Sequence, residues 1–309
     1  MGLFSRKKAR PQRPRAEKEA DRARRAEAAQ TALSGLIGLT VVLALYVGFR
    51  VGVPRLEAVA SRAGGRGLHV AFEWPQGKSP GETWLPPEIR DELMAIGHQE
   101  LDRWPDPFSA QGLRGVSEAL TRTGWFDRVR SVERESDGVI RISATWREPA
   151  AVVRCEGIDY LVGRGAEVLP LAYQRGGSGR PAIVGAQMTP PKSGGRITQG
   201  GVWPGNDVKA GLDLLRLIST KPWRDQVAAV DVGEYLSKHR LVLVSKWNGR
   251  TVWGGAPDEV VPGEVPSDTK LRRIDVLVKE FGQVDAKRRI VEVAGPILLV
   301  DDTATANAQ

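Results

Sequence analysis

Apolar residues change their spacing along the chain, and each spacing predicts a different kind of element. The first is an uncharged run, residues 31–49, which as a helix rising 1.5 Å per residue would be about 28 Å long. This length matches the roughly 30 Å hydrocarbon core of a bilayer, so the run predicts one transmembrane helix. Residues 50–67 follow without a clear apolar period and are interpreted as a linker.

From residue 68 the spacing becomes that of a folded domain. Alternating apolar residues over 68–72 predict a strand. Pro86-Pro87 opens a helical pattern, and a second helix is expected after Ser109, ending at Gly124. A hairpin is predicted around Asp137-Gly138. The order strand, helix, helix, strand, strand predicts a small α+β module with both helices on one face of the sheet.

Past residue 148 the pattern changes to short strands separated by loops rich in Gly and Pro. Two helices are predicted, Val208 to Ser219 and Ser267 to Glu280, because their leucines recur at helical spacing. Asn248-Gly249 marks a second hairpin with a type I′ turn. Residues 290–300 predict a last strand, so this part is expected to be mainly antiparallel β-structure with two helices.

Charge is distributed unevenly and predicts an orientation. The chain has 45 basic and 37 acidic residues, a net charge of +8, yet residues 1–30 alone hold ten basic and four acidic ones. The remainder is therefore close to +2. By the positive-inside rule residues 1–30 form a cytoplasmic arm that contacts anionic lipid headgroups. We expect a single-pass protein of the cytoplasmic (inner) membrane with its later domains outside, and no nucleic-acid partner.

A cleaved signal peptide is the alternative interpretation of this N-terminus. Ala58-Val59-Ala60 has the small residues of a cleavage site. The apolar run is longer than the usual core of about 7–15 residues, however, and Arg50, Pro54 and Arg55 separate it from that site. These features favour an uncleaved anchor.

Residues that could carry chemistry are scattered. Cys155 is the single cysteine and cannot form an internal disulfide, and the three histidines, His69, His98 and His239, lack the spacing of metal ligands. The sequence has no phosphate-binding loop and no nucleophile elbow. We therefore expect no catalytic residue, no metal, no cofactor and no small-molecule substrate, and a protein that is not an enzyme.

Three segments together resemble the FtsQ/DivIB family of bacterial cell-division proteins. Residues 124–171 resemble that family's passage from its POTRA module into its β domain, with Leu161, Val162, Gly165 and Val168 matching a turn motif. Residues 180–185 are similar to a short proline step of the family. Residues 247–254, with Lys270-Leu271 and the last strand, resemble its C-terminal region. The resemblance covers residues 86–300; the usual opening of the POTRA module is absent.

The resemblance completes the expected fold class and domain organisation. The fold class is a single-span membrane protein whose α+β extracytoplasmic region has a POTRA-like β-α-α-β-β module and then a mainly antiparallel β domain with two helices. The predicted segments are a basic cytoplasmic arm (1–30), a transmembrane helix (31–49), a linker (50–67), a POTRA-like domain (68–148), an FtsQ-type β domain (149–301) and a disordered tail (302–309).

The last strand is the candidate partner-binding site, because nothing ordered is expected to follow it and cover its edge. A strand of another chain can add to such an edge through backbone hydrogen bonds. Pro296 lacks an amide proton and should bend the strand or stop its pairing locally. The alternative is a strand that only completes the core. The predicted binding residues are Ile290, Val291, Glu292, Val293, Ile297, Leu298, Leu299 and Val300.

The resemblance implies a non-catalytic scaffold of the division machinery. In that family the C-terminal region receives small bitopic division proteins of the FtsB/FtsL type, which are therefore the expected partners. A POTRA-type protein that binds exported polypeptides is one alternative function. A membrane-anchored enzyme acting on envelope polymers is another, and it would need polar residues brought together from distant segments.

Overall fold

The computed structural model describes residues 69–301, apart from residues 78, 80, 105–108 and 136–137. The described residues belong to one compact unit. The predicted cytoplasmic arm, transmembrane helix, linker and tail lie outside them.

The helices of this unit are α1 (Pro87–Asp102), α2 (Ala110–Arg122), α3 (Asp207–Ile218), the short α4 (Tyr235–Lys238) and α5 (Ser267–Phe281). Its first seven strands are β1 (His69–Phe72), β2 (Phe126–Arg134), β3 (Val139–Trp146), β4 (Pro149–Cys155), β5 (Ile158–Gly163), β6 (Val168–Gln174) and β7 (Ala182–Val184). The others are β8 (Lys192–Ser193), β9 (Arg196–Ile197), β10 (Val227–Glu234), β11 (Arg240–Ser245), β12 (Arg250–Gly254), β13 (Ile290–Glu292) and β14 (Leu299–Asp301).

The first three strands and two helices form a small α+β module. Its sheet has the order β1-β3-β2, with β1 parallel and β2 antiparallel to β3. Local sequence sets the helix ends as expected. Pro87 begins α1, and the Ser109 hydroxyl accepts a hydrogen bond from the Gln111 N–H, at 3.2 Å, to cap α2. Gly124 follows α2 with a φ of +83°, a backbone conformation that favours glycine.

The second part of the unit is built on a nine-stranded sheet in the order β14-β13-β12-β11-β10-β7-β4-β5-β6. Parallel pairs join β7 to β10, β4 to β7 and β12 to β13, while the other neighbours are antiparallel. The sheet is therefore mixed. Parallel pairing requires a crossover between strands, and α3 and α5 lie in two of these crossovers.

The fold class expected from the sequence is wrong about the second domain. The second domain is organised around a large mixed sheet rather than a mainly antiparallel one. In addition, none of the helices formed by the described residues is both long enough and apolar enough to cross a membrane. What the structure describes is an α+β fold. The apolar run at 31–49, on which the transmembrane prediction depends, is outside the described part of the chain.

Two hydrophobic clusters hold the unit together. One lies between the large sheet and its helices and includes Trp203, Leu214, Trp253 and Ile274. The other joins core residues of the small module, such as Phe126, to apolar side chains on the opposite face of the large sheet, such as Val152. Strand alternation explains this division, because successive side chains of β4 point to opposite faces.

The glycine-rich loop at 189–206 lies along one edge of the large sheet. Gly201 accepts a hydrogen bond from the Val168 N–H at 2.8 Å, and the Gly200 N–H donates to the Val168 carbonyl at 2.7 Å. A bridge between Glu167 and Val202 continues this pairing. The loop thus covers the beginning of β6. It also touches the small module, since a Cβ on Gly124 would lie 2.7 Å from the Cβ of Gln199.

Candidate partner-binding surface

The C-terminal segment forms a hairpin at the other edge of the large sheet. β13 pairs in parallel with β12, and β14 folds back antiparallel on β13 with Val300 opposite Val291. β14 is the edge strand, and no other strand in the described part of the chain pairs with its outer side. The segment predicted as one strand, residues 290–300, is therefore two strands, and only the second forms the edge.

The predicted binding residues divide between the core and the surface. Val291 and Val293 are fully buried in the cluster beneath the helices, where Leu298 is also partly packed, and Glu292 is half-buried. Ile290, Ile297, Leu299 and Val300 are exposed, with relative exposures of 40%, 69%, 55% and 37%. The structure brings all eight together in one hairpin. Only the four exposed residues offer apolar surface to another chain.

Arg273, on α5, fixes the turn of this hairpin. Its guanidinium donates hydrogen bonds to the carbonyls of Val293, Gly295 and Pro296 at 2.8, 2.5 and 2.7 Å. Pro296 lies in this turn, where its missing amide proton costs no ladder hydrogen bond. Sequence reasoning missed Arg273. The feature of the sequence that could have indicated it is its position three residues after Lys270, because this spacing places two basic residues on neighbouring turns of one helix face.

Cys155, at the end of β4, is poorly suited to nucleophilic chemistry. Burial raises the pKa of its thiol, and the neighbouring carboxylate of Glu156 raises that pKa further. The reactive species of a cysteine is its thiolate, so a raised pKa lowers its reactivity near neutral pH.

One histidine does lie in a polar cluster. His239 Nδ1 is 2.5 Å from a carboxylate oxygen of Glu259, and the Tyr235 hydroxyl is 3.2 Å from the other oxygen. Burial and the charge of Glu259 raise the pKa of Tyr235 to about 12, so the phenol keeps its proton. None of the hydrogen bonds within this cluster involves a serine, cysteine or threonine side chain, so the cluster contains no such nucleophile. Its geometry joins α4 to the loop after β12.

A second ion pair, between Arg154 and Asp159, joins β4 to β5. The Asp159 side chain is 1% exposed, and its carboxylate accepts hydrogen bonds from Arg154 at 2.8 and 3.0 Å and from the Gly176 N–H at 2.8 Å. Burial alone would raise the pKa of Asp159. The hydrogen bonds from Arg154 and Gly176 and the charges of Arg154 and Arg175 outweigh burial and lower it.

This lowered pKa predicts a pH-dependent stability. Because the folded-state pKa of Asp159 lies below its unfolded value, its contribution is present above about pH 4 and is lost as the pH falls through the folded-state pKa. We expect Asp159→Asn to lower the free energy of unfolding by about 2 kcal/mol at neutral pH and by progressively less below pH 4. Urea unfolding across this pH range measures the difference. Asp225→Asn, at a side chain 81% exposed, should show little difference at any pH.

Within the described residues, no group of three or more His, Cys, Asp or Glu side chains could hold a metal ion. Compared with known proteins, the chain matches no protein-family model and no curated protein sequence.

Proposed function

We propose that this chain is a non-catalytic scaffold of the bacterial division machinery that recruits small bitopic partner proteins by strand addition at β14. The observation that carries the proposal is the outer side of β14, which no described strand covers, beside the exposed side chains of Ile297 and Leu299. A partner strand would gain backbone hydrogen bonds from this edge and apolar contact from those side chains. FtsB/FtsL-type proteins are the proposed partners, on the resemblance given above.

The turn between β13 and β14 supports a preformed binding edge. Arg273 holds three carbonyls of the turn, and Val291 anchors β13 in the core. An edge that is already ordered loses little conformational entropy when a strand is added. The proposal also keeps the localisation that the sequence predicts, at the cytoplasmic membrane with the described domains outside, which depends on residues 1–67.

The test substitutes a lysine for an exposed residue of β14. Leu299→Lys adds a charge where a partner strand would pack, and lysines on edge strands oppose strand addition. With the FtsB- and FtsL-type proteins of the same organism co-expressed, we expect the full-length variant to bind them at least about tenfold more weakly, a loss of about 1.4 kcal/mol. Leu236→Lys is the matched control, because Leu236 is 49% exposed on α4, away from this edge.

Unchanged partner binding by a folded Leu299→Lys protein would remove β14 as the site. Depletion of the chain should give undivided filaments. Normal division after depletion would contradict the scaffold function. Crosslinking from position 299 to exported polypeptides, rather than to division proteins, would favour the export function instead.

A further inference from the structure

A large open groove lies on the nine-stranded sheet, away from β14. Its volume is about 1290 Å³, and it runs from the face of β7, β10 and β11 around the start of β7 and β10 and the end of β11 to the second half of α3. The loop at 174–180 forms one wall, with Arg175, Gly179 and Arg180 in the lining. No residue of β13 or β14 lines it. The groove is therefore a surface separate from the proposed partner edge.

The lining of this groove is strongly basic. It contains eight basic side chains and three acidic ones, Asp213, Asp225 and Asp231. The basic residues come from six separate segments and are Arg154, Arg164, Arg175, Arg180, Arg216, Arg224, Lys246 and Arg250. Residues 69–301 as a whole carry no net charge, because they hold 31 basic and 31 acidic residues. The groove thus concentrates positive charge that the rest of the unit balances.

Four of these side chains form no ion pair with another described residue, although the charge of Arg175 also lowers the pKa of Asp159. Arg154 and Arg250 are held by Asp159 and Asp231 at 2.8 Å. By contrast, the guanidinium of Arg180 donates only to the Pro149 carbonyl, at 3.1 Å. The three that form no ion pair or side-chain hydrogen bond with other described residues are Arg175, Arg216 and Lys246. These four side chains are exposed and remain available to an anionic ligand.

The groove also has apolar surface between its charges. Val184, Val244 and Leu215 line it and are half-buried, so part of each side chain faces the groove. A phosphate polymer would gain nothing from this apolar surface. A polypeptide in which carboxylates alternate with aliphatic side chains would satisfy both, because arginine pairs well with carboxylates and burial of aliphatic surface away from water is favourable.

We propose that this groove binds an acidic polypeptide segment with aliphatic residues between its carboxylates. The four unpartnered cations bind the carboxylates, and the aliphatic residues pack on Val184, Val244 and Leu215. This site is independent of β14, so its occupant need not be the protein that adds a strand there.

The experiment measures fluorescence anisotropy of a labelled short peptide of alternating Glu and Val, with the full chain in neutral detergent. We expect saturable binding that weakens as salt rises, and no binding of the Gln/Val version of the peptide. Charge reversal of the four cations (Arg175→Glu, Arg180→Glu, Arg216→Glu and Lys246→Glu) should weaken binding at least about tenfold. The matched control reverses four exposed cations outside the groove, Arg114, Arg122, Arg128 and Lys279, and should keep the affinity.

Three results would overturn the proposal. The first is that the Glu/Val peptide shows no saturable binding. The second is that peptide binding is unchanged after the groove charges are reversed in a folded protein. The third is that the matched control loses as much affinity as the groove variant. Binding of inorganic polyphosphate in place of the peptide would also overturn the assigned ligand class. Leu299→Lys should leave peptide binding unchanged, so failure here and failure of the strand-addition proposal can be told apart.

Discussion

Glu264→Ala is expected to lower the free energy of unfolding by about 3–5 kcal/mol, because it leaves a buried ammonium without its partner. The Lys270 side chain is 4% exposed, and its Nζ lies 2.6 Å from Glu264 Oε2 and 5.1 Å from the centre of the Trp253 ring. Glu264 also accepts the Gly255 N–H, at 3.1 Å. Urea unfolding at neutral pH measures the loss.

Two further variants distinguish the effect of leaving a buried charge unpaired from the effect of removing a glutamate side chain. Glu264→Ala combined with Lys270→Met removes both charges and should recover much of the stability. Glu234→Ala breaks the exposed pairs with Lys238, 2.9 Å away, and Arg240, 3.3 Å away, and should change the free energy of unfolding by less than about 1 kcal/mol. A loss at Glu264 as small as that at Glu234 would show that the buried pair is not stabilising.

Gly249→Ala is expected to lower the free energy of unfolding by about 3 kcal/mol through overpacking. A Cβ on Gly249 would lie 2.5 Å from both Cβ and Cγ of Asp285. Asp285 cannot move away easily, because it is fully buried, its carboxylate accepts hydrogen bonds from the Ser245 hydroxyl and the Arg288 N–H, and Ser245 in turn binds the Gly249 N–H. Thermal and urea unfolding measure the effect.

Gly295→Ala is the control for the loss of glycine flexibility. Its nearest atom to an added Cβ is 3.8 Å away, so the change should be within about 0.5 kcal/mol or slightly stabilising. The double variant Gly249→Ala/Asp285→Ala should lose less stability than the sum of the two single variants, because they share one contact. Simple additivity would mean that Gly249 is needed for some other reason.

The hairpin at Asn248-Gly249 shows what local sequence rules can reach. They predict a turn there, and the structure has one, between β11 and β12. The expected type I′ turn needs positive φ at both residues, yet only Asn248 has it, at 68°. A glycine is needed at position 249 because Asp285, 36 residues further along the chain, leaves no room for a side chain there. A distant contact of this kind leaves no mark on the local pattern.

The candidate partner-binding site could be predicted only in part, again because contacts between distant residues determine its details. Apolar residues at 290–300 correctly indicated strand structure at the end of the fold. The position of the turn depends on Arg273, whose contacts with three carbonyls are made across the fold from α5. The groove was missed entirely, because its cations come from segments as far apart as Arg154 and Arg250. Only the parallel crossovers of the sheet bring these segments side by side.

The two edges of the large sheet have a consequence for valency. The loop at 200–203 pairs with the start of β6, so residues 169–174 are the part of β6 whose outer side no described strand covers. A sheet that is open at both ends can accept a strand at each. A partner bound at β14 would therefore leave the far edge free for a second strand, and the loop would limit how far along β6 that second strand could pair.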